Sequence, residues 1–242
     1  MEFRQQHLLR LIIDDYIKTA EPVGSKYLVE QYGLTISPAT VRNEMSLLEE
    51  EGYLRHAHTS SGRIPTEKAY QFYLKEFLGN RDASVGAPLV GAHAGADGKA
   101  FDHIEPESNR ESAVKNIAKR LMEVSGETAI VAFDPNWSFY TGVSNLMQKP
   151  EFHDSVPALA ELVDQFDAVV SDMFDRVSHE PQVFIGSHNP FGDQMTTIIV
   201  RYDFPNTSGG ILGLVGPMRM DYARNLALLE AAKKIINELS EE

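Results

Sequence analysis

A stretch without periodicity divides this chain, and that division most constrains what the chain can fold into. Residues 79–110 contain five glycines, six alanines and two prolines, and their apolar residues recur at neither helical nor strand spacing. Such a composition offers little to pack and is typical of a flexible linker. We therefore predict two domains, at 1–78 and 111–242, joined by a linker rich in glycine and alanine.

The first segment carries the pattern of three short helices followed by a small β-hairpin and a fourth helix. Residues that favour the start or the end of a helix separate these helices from one another. Pro22 follows the first helix, Ser25 and Gly33 bound the second, Ser37-Pro38 and Gly52 bound the third, and Thr66 caps the fourth. A strand is expected at 53–56, residues 59–62 are turn-forming, and residues 63–65 lead out of that turn. This order predicts a winged helix-turn-helix, mainly α with a small β wing, whose third helix enters the DNA major groove.

Side chains suited to DNA gather at the start of the third predicted helix. Ser37 and Thr40 place hydroxyls near a helix N-terminus, where a phosphate is favoured. Arg42 and Asn43 match the hydrogen-bonding edges of guanine and adenine. The predicted hairpin adds four hydrogen-bond donors, His58, Thr59, Ser60 and Arg63. We expect no acidic side chain beside them, because Glu49, Glu50 and Glu51 lie at the far end of the third helix.

Two other interpretations of these residues remain open. Arg42 and Asn43 can belong to the solvated face of an ordinary surface helix. His56 and His58, two positions apart on a strand, can face the same way and bind a metal, although no third ligand lies near them in the sequence.

The net charge of −13 argues against a nucleic-acid partner only if it is evenly spread. Residues 1–78 hold 9 basic and 11 acidic side chains, whereas the remainder holds 13 and 24. The acidity therefore belongs mainly to the second segment, and the first can still present a local basic face.

Several protein classes are excluded by what the sequence lacks. It has no cysteine, which excludes a disulfide framework and thiolate chemistry. It has no apolar run of the roughly 18–20 residues that span a bilayer and no signal-peptide pattern at its start, so we expect a cytoplasmic protein without a membrane partner. His153 and His188 lie in no recognisable catalytic motif, and we expect neither an enzyme nor a bound metal or cofactor.

The second segment predicts an α+β domain with a mostly antiparallel sheet. Ser108 and Glu111 form a capping box that opens a helix ending at Gly126. The other expected elements are strands at 128–133, 137–143, 182–186, 195–202 and 210–215, a long amphipathic helix over 159–174, and a terminal helix from Asp221. Arg219 is expected to pair with Asp221 at the start of that helix.

Three blocks of the first segment resemble the signature blocks of the HrcA heat-inducible transcription repressors. They are Glu-Pro-Val-Gly-Ser at 21–25, Ser-Pro-Ala-Thr-Val-Arg-Asn-Glu-Met at 37–45 and His-Thr-Ser-Ser-Gly-Arg-Ile-Pro-Thr at 58–66. The resemblance covers nearly all of residues 1–78 and implies a DNA-binding domain. Together with the chemistry above, it gives this set of candidate DNA-contacting residues: Ser25, Ser37, Ala39, Thr40, Arg42, Asn43, His58, Thr59, Ser60 and Arg63.

Blocks at 139–146, 150–152 and 216–222 also resemble that family, whose members carry a GAF-like domain interrupted by an inserted dimerisation domain. The chain departs from the family pattern in two ways. The stretch before Phe133 is too short to hold the inserted domain, and the family's Ile-Gly-x-Glu-Asn block has His188 in place of the acid.

The resemblance implies a sequence-specific repressor of heat-shock (chaperone) operons that is released on heat stress. It implies double-stranded DNA with an inverted-repeat operator as partner, a homodimer, and a GroE-type chaperonin that maintains the active repressor. One alternative is a metabolite-responsive winged-helix regulator whose GAF-like domain senses a small molecule. Another is a chaperone-interacting protein whose winged helix only mediates protein contacts, which the donors Arg42, Asn43 and Arg63 disfavour.

Overall fold

The computed structural model describes residues 1–57, 62–77, 79, 98–101, 109–153, 156–203 and 209–239. The chain divides into two compact units, Met1–Phe77 and Leu78–Glu242. Within these described ranges no helix is both long enough and apolar enough to cross a membrane.

The first unit is a set of helices with one antiparallel hairpin between the third and the fourth. Its elements are α1 (Phe3–Thr19), α2 (Ser25–Tyr32), α3 (Pro38–Glu50), β1 (Leu54–His56), β2 (Arg63–Pro65) and α4 (Glu67–Phe77). The hairpin pairs Leu54 with Pro65 and His56 with Arg63. The order of elements expected from the sequence is therefore confirmed.

Local sequence explains where the helices of the first unit begin and end. The apolar stripe of α1 is buried against α3, α4 and β2. The Ser37 hydroxyl caps α3 by accepting the Thr40 N–H at 3.1 Å, and Pro38 occupies the first turn, where no N–H is needed. The expected cap of α2 is wrong by one residue, because Gly24 takes the cap position and Ser25 is already helical.

The hairpin is attached to the connection between α1 and α2. Val23 and Arg63 exchange two backbone hydrogen bonds, each 2.9 Å long, as an isolated antiparallel bridge. Gly62 permits this approach, since a β-carbon there would lie 2.8 Å from the backbone of Pro22. Two sequence blocks that lie 40 residues apart are thus held together by backbone pairing.

The second unit contains a five-stranded sheet in which every neighbouring pair is antiparallel, in the order β4-β3-β7-β6-β5. The mixed α/β composition and the antiparallel sheet expected from the sequence are confirmed. Its elements are α5 (Arg110–Ser125), β3 (Thr128–Asp134), β4 (Trp137–Thr141), α6 (Val143–Met147), α7 (Val156–Phe174), β5 (Gln182–Ile185), β6 (Met195–Tyr202), β7 (Gly210–Pro217) and α8 (Tyr222–Glu238).

Apolar side chains on the sheet of the second unit pack against helices. Ile130 and Ala132, alternate residues of β3, belong to one buried cluster with Phe166 and Val170 of α7. Helices α5 and α8 contact each other and pack on β3 and β6. Since alternate residues of a strand point to opposite faces, the near-continuous burial of β6 and β7 reflects cover on both sides of the sheet.

The structure corrects three local expectations in the second unit. The expected linker is too long at its end, because Gly98–Phe101 forms a short 3-10 helix whose Phe101 is buried against α5 and α8. Helix α5 is capped by Asn109 rather than by Ser108, which lies outside the described residues. The strand expected to reach 143 ends at Thr141, because Gly142 turns left-handed, with φ of 85°, and caps α6.

A buried cluster of charges lies at one end of the sheet. Glu127 is 4% exposed, and its Oε1 accepts a hydrogen bond from Lys149 Nζ at 3.3 Å. Its Oε2 has no partner among the described residues and lies so close to Gly216 that a β-carbon there would collide with it. Burial raises the pKa of Glu127 to about 7, although Lys149 and Arg219 act to lower it.

Arg219 completes this cluster and corrects another expectation. Its guanidinium pairs with the carboxylate of Glu151 instead of Asp221. Asp221 caps α8, accepting the Arg224 N–H at 3.1 Å. No local pattern predicts the pairing of Arg219 with Glu151, because the two residues are 68 positions apart.

Replacing Gly62 by alanine tests the attachment of the hairpin. Gly62→Ala forces the added carbon against Pro22, and we expect a loss of about 1–3 kcal/mol in the free energy of unfolding, the usual range for overpacking. Gly24→Ala is the control, since a β-carbon there meets nothing within 4 Å. Urea unfolding of both variants measures the difference, and equal stabilities would show that the contact with Pro22 is unimportant.

Glu127 gives the stability of the chain a pH dependence whose sign is fixed. Its pKa is about 7 in the folded chain against an ordinary 4.5, so the folded state retains a proton that the unfolded chain releases. Stability therefore falls as the pH rises from about 5 to about 7, by on the order of 2–3 kcal/mol. Glu127→Gln is neutral at every pH and should lack this decline.

Urea unfolding at several pH values between 5 and 8 measures this difference. Glu123→Gln, which removes an exposed carboxylate of α5, should keep the slope of the unmodified chain. If the Glu127→Gln profile ran parallel to that of the unmodified chain, Glu127 would not be the group responsible.

Candidate nucleic-acid interface

The first half of α3 presents a polar face to solvent. Ser37, Ala39, Arg42 and Asn43 are exposed, and Thr40 is half-buried. The opposite face packs into the core of the unit through Val41, Met45 and Leu48. The helical spacing that buries these three apolar residues is what turns the four exposed residues outward.

The other candidate residues are either buried or outside the described ranges. Ser25 and Arg63 are buried, each 9% exposed, at the starts of α2 and β2. His58, Thr59 and Ser60 lie outside the described residues. Ser25, Arg42 and Arg63 come together around one cavity.

Arg63 is held by two side chains that were not expected near it. Its Nε donates to Glu49 Oε2 at 2.9 Å, and its Nη1 lies 3.0 Å from His56 Nδ1. Glu49 Oε1 also lies 3.6 Å from His56 Nε2. The expectation that no acid lies beside the hairpin donors is therefore wrong, because the last turn of α3 brings Glu49 back to β2.

Helix α2 is fixed against α1 by a buried carboxylate. The hydroxyls of Tyr27 and Tyr32 both donate to Asp15 Oδ1, at 2.8 and 3.1 Å, and Asp15 is only 6% exposed. Burial and the nearby Asp15 raise the pKa of Tyr32 to about 12. Both hydroxyls thus remain donors at neutral pH, and they hold α2 at a defined position relative to α1.

A cavity of about 270 Å³ opens between the start of α2, the first turns of α3 and the hairpin. None of the residues around it is acidic: they are Gly24, Ser25, Lys26, Arg42, Met45, His56 and Arg63. Three carry a permanent positive charge, and the cavity therefore favours an anion. No local pattern marks Lys26 and His56 as neighbours of Arg42, because they line the same cavity only when α2, α3 and the hairpin are packed together.

No metal site accompanies this cavity in the part of the chain that the structure describes. Among those residues no three His, Asp or Glu side chains gather in a way that could hold an ion. The arrangement of His56 with Glu49 and Arg63 gives that histidine a hydrogen-bonding role, while His58 is not described.

Comparison with known proteins relates the whole chain to one group of regulators. The chain is 27% identical to the heat-inducible transcription repressor HrcA of Lysinibacillus sphaericus over 327 aligned positions, which cover 95% of each protein. It is 56% identical to the HrcA of Desulforudis audaxviator over 75 residues, which make up 31% of this chain and 22% of that protein.

A crystal structure of a hypothetical protein, solved at 2.2 Å, has a similar fold, with a TM-score of 0.79, 17% identity and coverage of 98% of both chains. A family profile described as the HrcA protein C-terminal domain matches residues 94–226, more than half of the chain. That match begins within the segment expected to be a linker, in agreement with the burial of Phe101. The chain belongs to the HrcA family.

Proposed function

We propose that the chain is a sequence-specific, DNA-binding transcription repressor of heat-shock operons. The observation that carries the proposal is the exposed polar face of α3 beside a cavity lined by three cations and no acid. Residues 1–77 act as a winged-helix domain in which α3 enters the major groove, and the second unit acts as a GAF-like regulatory domain.

Within this proposal the candidate residues divide by what they can contact. Arg42 and Asn43 are exposed on α3 and read base edges, guanine and adenine respectively. Ser37, Ala39 and Thr40 approach the DNA backbone near the helix N-terminus. The hairpin residues His58, Thr59 and Ser60 contact the neighbouring backbone. The guanidinium of Arg63 lines the cavity and also holds β2 on α3.

Family membership supports the proposed operator, dimer and response to heat. The relatives are named heat-inducible transcription repressors. On that basis the chain binds an inverted-repeat operator as a homodimer, is released on heat stress, and depends on a GroE-type chaperonin to maintain its active form.

The second unit is the proposed site of dimerisation. The alignment with the Lysinibacillus protein spans 327 positions, although this chain has only 242 residues, so the relative has residues at many positions where this chain has none. This agrees with the absence of an inserted dimerisation domain. In this proposal the sheet and helices of the second unit make the contacts between two copies of the chain.

The cavity that the structure describes on the second unit gives no support to a metabolite sensor as a second candidate function. A cavity of about 360 Å³ lies on the surface of the second unit beside α8. Its lining is dominated by charged side chains of both signs, Glu180, Glu230, Glu238, Lys233 and Lys234. Small-molecule sites are usually enclosed and largely apolar, and this one is neither.

Removing Arg42 tests the proposed base contact. We expect Arg42→Ala to weaken binding to a preferred duplex by about 1–3 kcal/mol and to relax base preference at one position. The preferred duplex is first selected from a random pool by the unmodified chain. Fluorescence anisotropy with that duplex and its single-base variants then measures both effects.

Arg10→Ala, which removes an arginine from α1, is the matched control and should keep both affinity and preference. If Arg42→Ala bound every duplex as the unmodified chain does, the residue would not read a base.

The proposed homodimer predicts a defined stoichiometry on DNA. The chain should sediment as a dimer when free, and two copies should bind one duplex that carries both halves of the inverted repeat. A duplex with one half-site should bind markedly more weakly. Sedimentation of a strict monomer, together with independent binding of one copy to each half-site, would contradict the dimer.

A further inference from the structure

The two edge strands of the sheet in the second unit differ in how far they are covered. The edge strand β5 has three of its four residues buried, whereas every residue of β4, the opposite edge strand, is exposed or half-buried. Among the described residues, β4 pairs with β3 alone. Alternate N–H and C=O groups of an edge strand point away from its sheet, so β4 offers these groups to a further strand.

The sequence of β4 carries none of the features that usually protect an edge strand. It is Trp-Ser-Phe-Tyr-Thr, with no charged residue and no proline. Proteins ordinarily use lysine, proline or inward-pointing charges to keep an exposed edge from pairing with another chain. Trp137, at the start of the strand, is 46% exposed. This uncharged, aromatic edge is therefore suited to pairing with a strand of another molecule.

An acid–base pair lies over the aromatic rings on one face of this edge. Trp137 and Phe139, alternate residues of β4, point to the same face of the sheet. Lys115 of α5 places its Nζ 4.9 and 5.6 Å from their ring centroids, and 5.9 Å from that of Phe133. Lys115 also pairs with Glu111, one turn earlier on α5. A lysine and an acid side by side are self-complementary, because across a two-fold axis each can meet the opposite charge of the other copy.

Helix α7 flanks the other face of β4 and widens the surface. Tyr140 of β4 stacks on Phe166 of α7, with ring centroids 5.1 Å apart, and Val163 and Val169 of α7 are half-buried. A stable interface buries about 800 Å² on each partner, more than five strand residues supply. The helices on the two faces of β4 therefore have to contribute, and a second copy of the chain brings its own α5 and α7 to the same edge.

We propose that β4 pairs antiparallel with β4 of a second copy, about a two-fold axis at Phe139, so that one sheet runs through both copies. The inference rests on the proposed function, which assigns dimerisation to the second unit, and it adds where the contact lies. A two-fold axis between antiparallel strands is perpendicular to the sheet, so the same face of both copies lies on the same side. Phe139 then faces its own counterpart, Trp137 faces Thr141 of the other copy, and the two Lys115–Glu111 pairs lie beside the axis.

A single cysteine placed at the axis tests this register. The chain has no cysteine, so a dimer of Phe139→Cys holds only two thiols, which face each other across the paired strands. Directly opposite residues of antiparallel strands have Cα atoms about 4.5–5.5 Å apart, within the range that a disulfide requires. We expect most of the oxidised protein to run as a covalent dimer on a non-reducing gel.

Phe184→Cys is the matched control for this experiment. Phe184 is a half-buried phenylalanine of β5, the other edge strand, and its replacement should leave most of the oxidised protein monomeric on the same gel. Equal cross-linking of the two variants would contradict the proposed register, and so would the absence of cross-linking in Phe139→Cys.

Trp137→Lys tests the interface without a cross-link. The side chain is largely exposed, so its replacement leaves the fold intact, while a lysine beside Lys115 makes the edge repel a second copy. We expect the dissociation constant of the dimer to rise at least tenfold in sedimentation, with an unchanged circular dichroism spectrum. Phe3→Lys replaces an 85% exposed apolar residue of the first unit and should leave the dimer intact. If Phe3→Lys dissociated the dimer and Trp137→Lys did not, the proposed interface would be wrong.

Duplex binding separates this inference from the proposed function. Trp137→Lys should weaken binding to the duplex that carries both half-sites and leave binding to a single half-site unchanged, because α3 belongs to the other unit. If the unmodified chain selected a duplex while Phe139→Cys failed to cross-link and Trp137→Lys kept the original dimer affinity, the edge inference would be overturned and the proposed function would stand. If the unmodified chain selected no duplex, the proposed function would fall, and cross-linking and sedimentation alone would decide on the edge.

Discussion

Arg63 is the residue on which the arrangement of the first unit depends. Its backbone pairs with Val23 through two hydrogen bonds of 2.9 Å, and its side chain is bound by Glu49 at 2.9 Å. One residue therefore ties the connection before α2, the end of α3 and the hairpin to each other. A charge that is nine-tenths buried needs such a partner, since an unpaired guanidinium there would be costly.

This arrangement gives the first unit, which has no net positive charge, a local surface that suits the proposed contact with DNA. Glu49 offsets the positive charge of Arg63 from a position outside the cavity lining, while the lining itself contains cations and no acid. The net charge of residues 1–78 is close to zero, but the charged side chains are unevenly distributed. Because salt screens the interaction between distant exposed charges, a nearby anion responds to the local distribution of charge and not to the net charge of the domain. The acidic second unit adds a repulsion that would limit binding to arbitrary DNA.

The second unit carries a different kind of charge cluster. Glu127 is buried at the end of the sheet with Lys149, and Arg219 and Glu151 pair beside it. The raised pKa of Glu127, about 7, means that this unit holds a proton whose release near neutral pH costs stability. The cluster joins the start of β3, the segment after α6 and the turn after β7, three blocks that are far apart in the sequence.

Local patterns in the sequence determined the elements of this protein, and the tertiary structure decided which of their polar groups meet. The Ser37 cap, the glycine at the end of α5 and the antiparallel sheet follow from signals within a few residues, because helix caps and strand periodicity are local effects. The local pattern predicts a linker at 98–101, because the packing partners of Phe101 lie in the distant helices α5 and α8. The Arg63–Glu49 pair, the Arg219–Glu151 pair and the cavity around Ser25 join residues 14 or more positions apart, so no local pattern could reveal them. They exist because folding brings those elements together and because buried charges and hydroxyls require partners.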